Sequence, residues 1–214
     1  MRRRTLLLVV GVVAALVVAS GVALAAVREG GPGDDTLIGT NGADNIDGKG
    51  GDDTLKGLGG GDWLTGDRGR DTLKGQADGD ELWGGPARDF VYCGQGDDFV
   101  LGDEILFGQA SPSEAGADVI QGGPGREEIH GERGDDRIYG GDGDDKHARS
   151  TSIGGLYGGP GKDVIHGGDG NDELYATTPA HSEGQDRLYC GKGRDKYIAD
   201  RHDFVDSSCE VSLR

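Results

Sequence analysis

From Gly30 onward, one large aliphatic residue recurs at every ninth position: Leu37, Ile46, Leu55, Leu64, Leu73, Leu82, Val91 and Val100. Each sits in a three-residue stretch such as Thr36-Leu37-Ile38, and Glu173-Leu174-Tyr175 repeats the arrangement far down the chain. In a strand this short only the central side chain faces inward, because side chains alternate. The six residues between strands carry glycine at their first, second and fourth positions, where φ > 0 is accessible, and predict a tight turn with its carbonyls pointing inward. The pattern predicts an all-β chain of very short strands joined by turns, ordered by the stacking of repeats.

The polar positions are equally regular. In nonapeptides read from Gly30, the sixth residue is Asp35, Asp44, Asp53, Asp62, Asp71, Asp80, Asp89 and Asp98. After an irregular stretch with Ser111, Pro112 and Ser113, the register resumes with Asp118, Glu127, Asp136 and Asp145. A degenerate unit follows, in which Gly154 stands in place of the aspartate and Leu156 keeps the apolar slot. Asp163 and Asp172 come next, then a five-residue insertion around Thr177 to Ala180, and two last units with Asp186 and Asp195. The expected organisation is a first repeat block over 26–107, an irregular insert over 108–117, a second block with inserts over 118–198 and a C-terminal cap over 199–214. Glu127 is longer by a methylene, Gly154 lacks a carboxylate and His147 fills an apolar slot, so the stretch from Glu127 to Leu156 should be the least regular and the first eight units should hold the best sites.

Residues 1–25 read as a signal peptide. Arg2, Arg3 and Arg4 precede an uninterrupted apolar run, and Ala23-Leu24-Ala25 fits the small-x-small cleavage rule. The competing reading is an uncleaved anchor, since about 20 apolar residues can span a bilayer. Either way residues 26–214 lie outside the cytoplasm, secreted if the leader is cut and held at the cell surface if it is kept, with no membrane span in the cleaved form. The chain has 39 acidic and 22 basic residues; removing three arginines leaves 39 against 19, a formal charge of −20. A nucleic-acid partner is excluded by the lack of basic patches, and cations are the natural partners. With 44 glycines and 6% aromatic residues, the chain cannot supply an ordinary large core.

The motif GGxGxDxUx, with U a large aliphatic residue, resembles the RTX or hemolysin-type calcium-binding repeat. The resemblance implies a parallel β-roll, a β-helix solenoid with calcium between its turns. Two nonapeptides make one full coil, so residues 18 apart stack at about 4.8 Å. Asp35, Asp53, Asp71 and Asp89 then line one edge, and Asp44, Asp62, Asp80 and Asp98 the other. A column of carboxylates at that spacing repels itself, and calcium, which takes 6 to 8 oxygen ligands, relieves the repulsion. In the family the ion is held by the sixth-position carboxylates and by carbonyls of the glycine loops. Carried over, the ligands of several Ca2+ ions are the aspartates named above together with Asp118, Asp136, Asp145, Asp163, Asp172, Asp186 and Asp195. The family often implies type I export, which the N-terminal leader here puts in doubt.

Every carboxylate has an equivalent copy nine residues on, which argues for a lattice and against a unique active centre, so the chain is read as non-enzymatic. His130, His147, His166, His181 and His202 form no HExxH or triad-like arrangement; His130 and His166 stand at the outward ninth position, where solvated surface is expected. Trp63 and Trp83 should cover neighbouring coils rather than form carbohydrate-stacking platforms, and Thr36, Thr54 and Thr72 should form a short ladder. Of three cysteines in an exported chain, Cys190 and Cys209 flank the closing segment and are expected to pair, leaving Cys93 free. Cys93 and Cys190 lie too many coils apart for the limit of about 7 Å between disulfide Cα atoms. The favoured function is a secreted calcium-binding module whose folding is coupled to the metal. The alternative is a calcium-dependent adhesin or matrix protein that presents its outward positions or the insert from Gly102 to Gly116 to cells or polysaccharide. A catalytic domain with appended repeats lacks room.

Overall fold

A computed structural model describes residues 24–103, 115–146, 155–176 and 184–213 and contains no helix among them. One ten-stranded sheet runs in the order β1 (Val27–Glu29), β3 (Asn45–Asp47), β5 (Trp63–Thr65), β7 (Glu81–Trp83), β9 (Phe99–Leu101), β11 (Glu128–His130), β13 (Leu156–Tyr157), β15 (Glu173–Tyr175), β17 (Lys196–Ile198) and β19 (Val211–Ser212). The other, nine-stranded, comprises β2 (Thr36–Ile38), β4 (Thr54–Gly59), β6 (Thr72–Ala77), β8 (Phe90–Gln95), β10 (Val119–Pro124), β12 (Arg137–Asp142), β14 (Val164–Asp169), β16 (Arg187–Lys192) and β18 (Phe204–Val205). All pairings are parallel, and successive strands alternate between the sheets, which is the β-roll expected from the repeat.

Pairing partners are 18 apart through the first coils, as in Leu55 with Leu73 and Leu64 with Leu82. The eighth-position side chains meet between the sheets, and from Ile46 through Leu188 they are fully buried. Thr36, Thr54 and Thr72 pair in register as the expected ladder. The spacing widens to 29 between Val91 and Ile120, to 27 between Ile138 and Ile165 and to 23 between Ile165 and Leu188, yet the sheets continue unbroken. All but the last two residues of the leader, most of the 108–117 insert, His147, Gly154, the insertion at Thr177 to Ala180 and His181 lie outside the described residues.

The degenerate unit is corrected by the register. Leu156 stacks on Leu174, and Asp145 donates its N–H to Asp172 Oδ1 at 3.0 Å, so Asp145 and Leu156 belong to the same half-coil. Leu156 follows Asp145 by eleven residues where Leu174 follows Asp172 by two. The nine-residue excess is an insert whose length equals the repeat, and so it mimics a unit in the sequence. Leu156 takes the apolar slot assigned to His147, and no carboxylate is missing from the stack there.

Cys190 and Cys209 form the expected disulfide, and Cys93 is free and buried in the core. The disulfide ties the closing segment, including β18 and β19, to the stack. Closing a loop with a sequence separation of 19 is worth about 3 kcal/mol in chain entropy. Cys209→Ser should lower the unfolding free energy at saturating calcium by about that amount, read from urea denaturation. An unchanged midpoint would show that the closing segment adds nothing to the roll.

Candidate metal centre

The geometry starts from the turns. Second and fourth positions adopt positive φ, as at Gly94 (118°) and Gly96 (136°), and non-glycine residues are held in that region at Leu58 (90°) and Ala87 (92°). The first-position glycine does not share it, contrary to the expectation from glycine's freedom alone; there the requirement is space. A β-carbon placed on Gly84 would lie 2.6 Å from the carbonyl oxygen of Gly102 and 2.7 Å from Asp89 Oδ2. A carboxylate oxygen of the same turn and a carbonyl oxygen of the next coil thus converge on one spot. The arrangement repeats at Gly48, Gly66 and Gly131 with Asp53, Asp71 and Asp136.

The sixth-position side chains form two internal ladders. On one edge Asp35, Asp53, Asp71 and Asp89 each donate the backbone N–H to Oδ1 of the next sixth residue at 2.7 Å, ending on Asp118. The ladder runs on through Asp136, Asp163 and Asp186. The other edge links Asp44, Asp62, Asp80 and Asp98 at 2.8 Å and, further along, Asp145, Asp172 and Asp195. All the aspartates named from the sequence therefore stand in the two stacks, and all but the half-buried Asp35 are nearly inaccessible.

Only one oxygen of each carboxylate is satisfied in this way. Oδ2 of Asp35 accepts from Gly31 N–H at 2.7 Å, and Oδ2 of Asp44 from Thr40 N–H. From Asp53 through Asp172, Oδ2 is buried with no hydrogen-bond partner at every sixth-position aspartate, and the same holds at Asp195. A buried carboxylate oxygen without a partner costs far more than a hydrogen-bonded one. Burial pushes the carboxyls up: Asp71, Asp80 and Asp172 to about 7, Asp118 and Asp163 to about 8, Asp136 to about 9 and Asp89 to about 10, with neighbouring carboxylates adding to the effect. Glu127 is raised well above its usual value by burial and by Asp145 beside it; its N–H donates to Asp145 Oδ1 at 3.0 Å as the aspartates do, but neither of its own oxygens receives a hydrogen bond, so the second ladder is interrupted only between Asp98 and Glu127.

Three features escape a reading of the repeat alone. Asp203 and Glu210 extend the two ladders, accepting from Asp186 N–H at 3.1 Å and Asp195 N–H at 2.8 Å. The signal was present, since Asp203-Phe204-Val205 repeats the tripeptides at Asp89 and Asp98. Asp103 is buried and accepts from Gly116 N–H at 3.1 Å, with its carboxyl raised to about 7 by burial. Fifth-position acids make a separate outer ladder of opposite sense: Asp34 accepts from Asp52 N–H at 2.9 Å, and Asp52 from Arg70 N–H at 3.0 Å. Those hydrogen bonds, with the Arg70 side chain, hold Asp52 below its usual value. The outer Asp52 is thus stabilised as a carboxylate by its partners, whereas burial disfavours the charged form of inner groups such as Asp71 and Asp89.

The histidines depart from the expected solvated surface. His130 stacks on Tyr157 at 4.6 Å, and His166 is sandwiched between Tyr139 and Tyr189 at 4.9 and 4.6 Å. Trp63 and Trp83 pack edge to face at 4.8 Å across adjacent coils.

No group of three or more His, Cys, Asp and Glu side chains among the described residues is arranged to hold a metal by itself. The donor set is instead one carboxylate oxygen and one carbonyl oxygen per turn, repeated along each edge. Oxygen-only donors, buried and unpartnered, fit a hard cation such as calcium and offer nothing to a soft one. Fold and site together define a solenoid of acidic turns whose oxygen donors suit cations. A family model for the RTX calcium-binding nonapeptide repeat (4 copies) matches residues 29–64, 56–91, 65–100, 113–146 and 156–177, more than half of the sequence, and the chain belongs to that family. No curated protein matches it.

Proposed function

We propose that this chain is an exported, non-enzymatic calcium-binding module that acquires its β-roll by taking up several Ca2+ ions. The observation that carries the reading is the run of buried, unpartnered Oδ2 atoms, which at turns such as those of Asp53, Asp71, Asp89 and Asp136 lie beside a carbonyl oxygen of the next coil. The ligands are the stacked aspartates from Asp35 to Asp98, and Asp118, Asp136, Asp145, Asp163, Asp172, Asp186 and Asp195 beyond them. Bound calcium would supply the positive charge and oxygen coordination that this set lacks. The chain's own part is to hold Oδ1 by the neighbouring N–H, to leave Oδ2 free and to keep a β-carbon out of the space between. Export is supported by the leader and the Ala23-Leu24-Ala25 site, which falls just before β1.

Titration calorimetry of the metal-free, leader-free chain tests the reading: calcium should bind at several sites in the range of extracellular modules, 10⁻⁴ to 10⁻³ M in order of magnitude. No uptake at millimolar calcium sinks it. Asp89→Asn separates the two roles of the carboxylate. It should remove the charge that burial penalises, leaving the metal-free chain no less ordered, while weakening calcium uptake by about tenfold or more, the loss expected on removing one charged ligand. Wild-type calcium affinity in that variant would remove Asp89 from the ligand set.

A further inference from the structure

The two outer faces of the roll carry opposite charge. On the ten-stranded sheet, the seventh and ninth positions hold Glu29, Asp47, Glu81, Glu128 and Glu173 against Lys196. On the nine-stranded sheet, the same outward positions hold Lys56, Lys74, Arg137 and Arg187 against one acid, Asp206, which continues the β18 register with its N–H donating to the Leu188 carbonyl at 2.9 Å; two further acids, Asp142 and Asp169, are at the strand ends. An excess of cations at these positions is unexpected in a chain with a net charge of −17.

Lys49, Arg70, Lys146, Lys192 and Lys196 are each paired with a carboxylate, whereas the cations of this face share with those of several turns, such as Arg68 and Lys162, the lack of one among the described residues. Lys56, Lys74, Arg137 and Arg187 make no salt bridge among the described residues; Lys74 lies over the Tyr92 ring at 5.4 Å, and both arginines are exposed. On the opposite face Asp47 is paired with Lys49 and Glu173 with Lys196, and Glu128 lies 3.3 Å from His130, while Glu29 and Glu81 make no salt bridge among the described residues. Self-association through the two faces is therefore one of the outcomes that the test below must separate. The rings of the basic face stack on one another, Tyr139 on His166 on Tyr189, so edges and hydroxyls point outward while ring faces are covered. Bases and sugar rings cannot stack there. What remains is a flat row of hydroxyls, from Thr54, Thr72 and the tyrosines, with cations spread over a face of roughly 40 Å at about 4.8 Å per strand. Such sparse charge suits a polymer rich in hydroxyls with widely spaced anions and falls short of the charge density of a nucleic-acid backbone.

We infer that the outer face of the nine-stranded sheet is a docking surface for a linear acidic polysaccharide with widely spaced carboxylates, bound by Lys56, Lys74, Arg137 and Arg187. The inference rests on the calcium reading only in that the face must be folded, and none of the four residues lies in a turn.

The test uses the leader-free chain at saturating calcium and a linear oligosaccharide with one uronate per disaccharide, followed by calorimetry. Parallel arms use a neutral glucan of equal length, vesicles of anionic lipid, and sedimentation of the protein alone. Binding of the uronate oligomer that weakens with added salt, and falls about tenfold or more in the variant K56Q/K74Q/R137Q/R187Q, supports the assignment, that being the sum of four exposed charge contacts. Calcium uptake and circular dichroism of the variant should be unchanged, which keeps failure here distinct from failure of the calcium reading. Absent binding, binding unaltered in the variant, preference for the neutral glucan or the vesicles, or self-association through this face would each overturn it. If the variant does not fold, protection of Lys56 and Lys74 from amine acylation by the bound oligomer decides: protected lysines support the surface and unprotected ones refute it.

Discussion

Held in excess chelator at neutral pH, the leader-free chain should give the circular dichroism of an unfolded polypeptide, and millimolar calcium should restore a β-sheet spectrum in a cooperative transition. Uncompensated, the stacked carboxylates are buried with half of their oxygens unpartnered, and they face one another along each edge. The core that opposes this cost is a single aliphatic residue per nonapeptide. Ordinary domains are stable by only 5 to 15 kcal/mol, in order of magnitude, and a few buried charges exceed that reserve. At millimolar calcium, one to ten times a dissociation constant of 10⁻³ to 10⁻⁴ M, each site returns about 0.4 to 1.4 kcal/mol, so many sites filled together are needed to reverse the balance. Magnesium at the same concentration should not substitute, because it demands octahedral geometry and dehydrates reluctantly. A β-sheet spectrum that survives chelation, in protein verified free of metal, would falsify the coupling of folding to calcium.

Acid should do in part what calcium does. Carboxyls such as Asp71, Asp118 and Asp136 are raised to about 7, 8 and 9 in the folded chain, chiefly by burial. The unfolded value for aspartate is about 3.9. With the folded pKa above the unfolded one, the folded form binds more protons between these values. Its stability is therefore fully present below about pH 4 and declines as pH rises through the folded pKa. Each such group removes about 1.4 kcal/mol per pH unit over that interval. The metal-free chain should gain β-structure as pH falls from 8 toward about 4, whereas with calcium bound the neutral-pH roll should persist. Dilute samples are needed, since the sequence pI is about 4.5. A metal-free spectrum that shows less β-structure at pH 4 than at pH 8 would contradict the cause assigned to these shifts.

Most of the architecture was legible because the repeat states it redundantly. Leu37 to Val100 fix which side chain enters the core, and Asp35 to Asp98 fix which residue ends each turn; a period of nine with alternate strands in opposite sheets follows from both. What the period could not convey lay in deviations from it. The excess between Asp145 and Leu156 equals one repeat, so counting cannot distinguish a half-coil from a bulge, and only strand pairing does. Asp203 and Glu210 stand in the ladders although their spacings from Asp186 and Asp195, 17 and 15, break the count. The first-position glycine was explained by backbone freedom, whereas at turns such as that of Gly84 what matters is the lack of room for a β-carbon, and Cys93 and Cys190 show that two turns admit one. Satisfaction of Oδ1 by a neighbouring N–H, with Oδ2 left over, is a property of stacked coils and has no signature in one repeat.

The bulge between Asp145 and Leu156 has a consequence of parity. One nonapeptide is half a turn of the solenoid, so an extra unit folded into the stack would exchange the two sides for everything downstream. Arg187 would move to the opposite side from Lys56 and Lys74, and the strand that carries Cys190 would change sides with it. The direct pairing of Leu156 with Leu174 keeps the odd and even halves in phase across the nine-residue excess, so that Arg187 remains on the same side as Lys56, in strands of one sheet. Growth of such a protein by duplication is thus free to proceed in steps of eighteen, while a step of nine preserves its two-sidedness only as a loop.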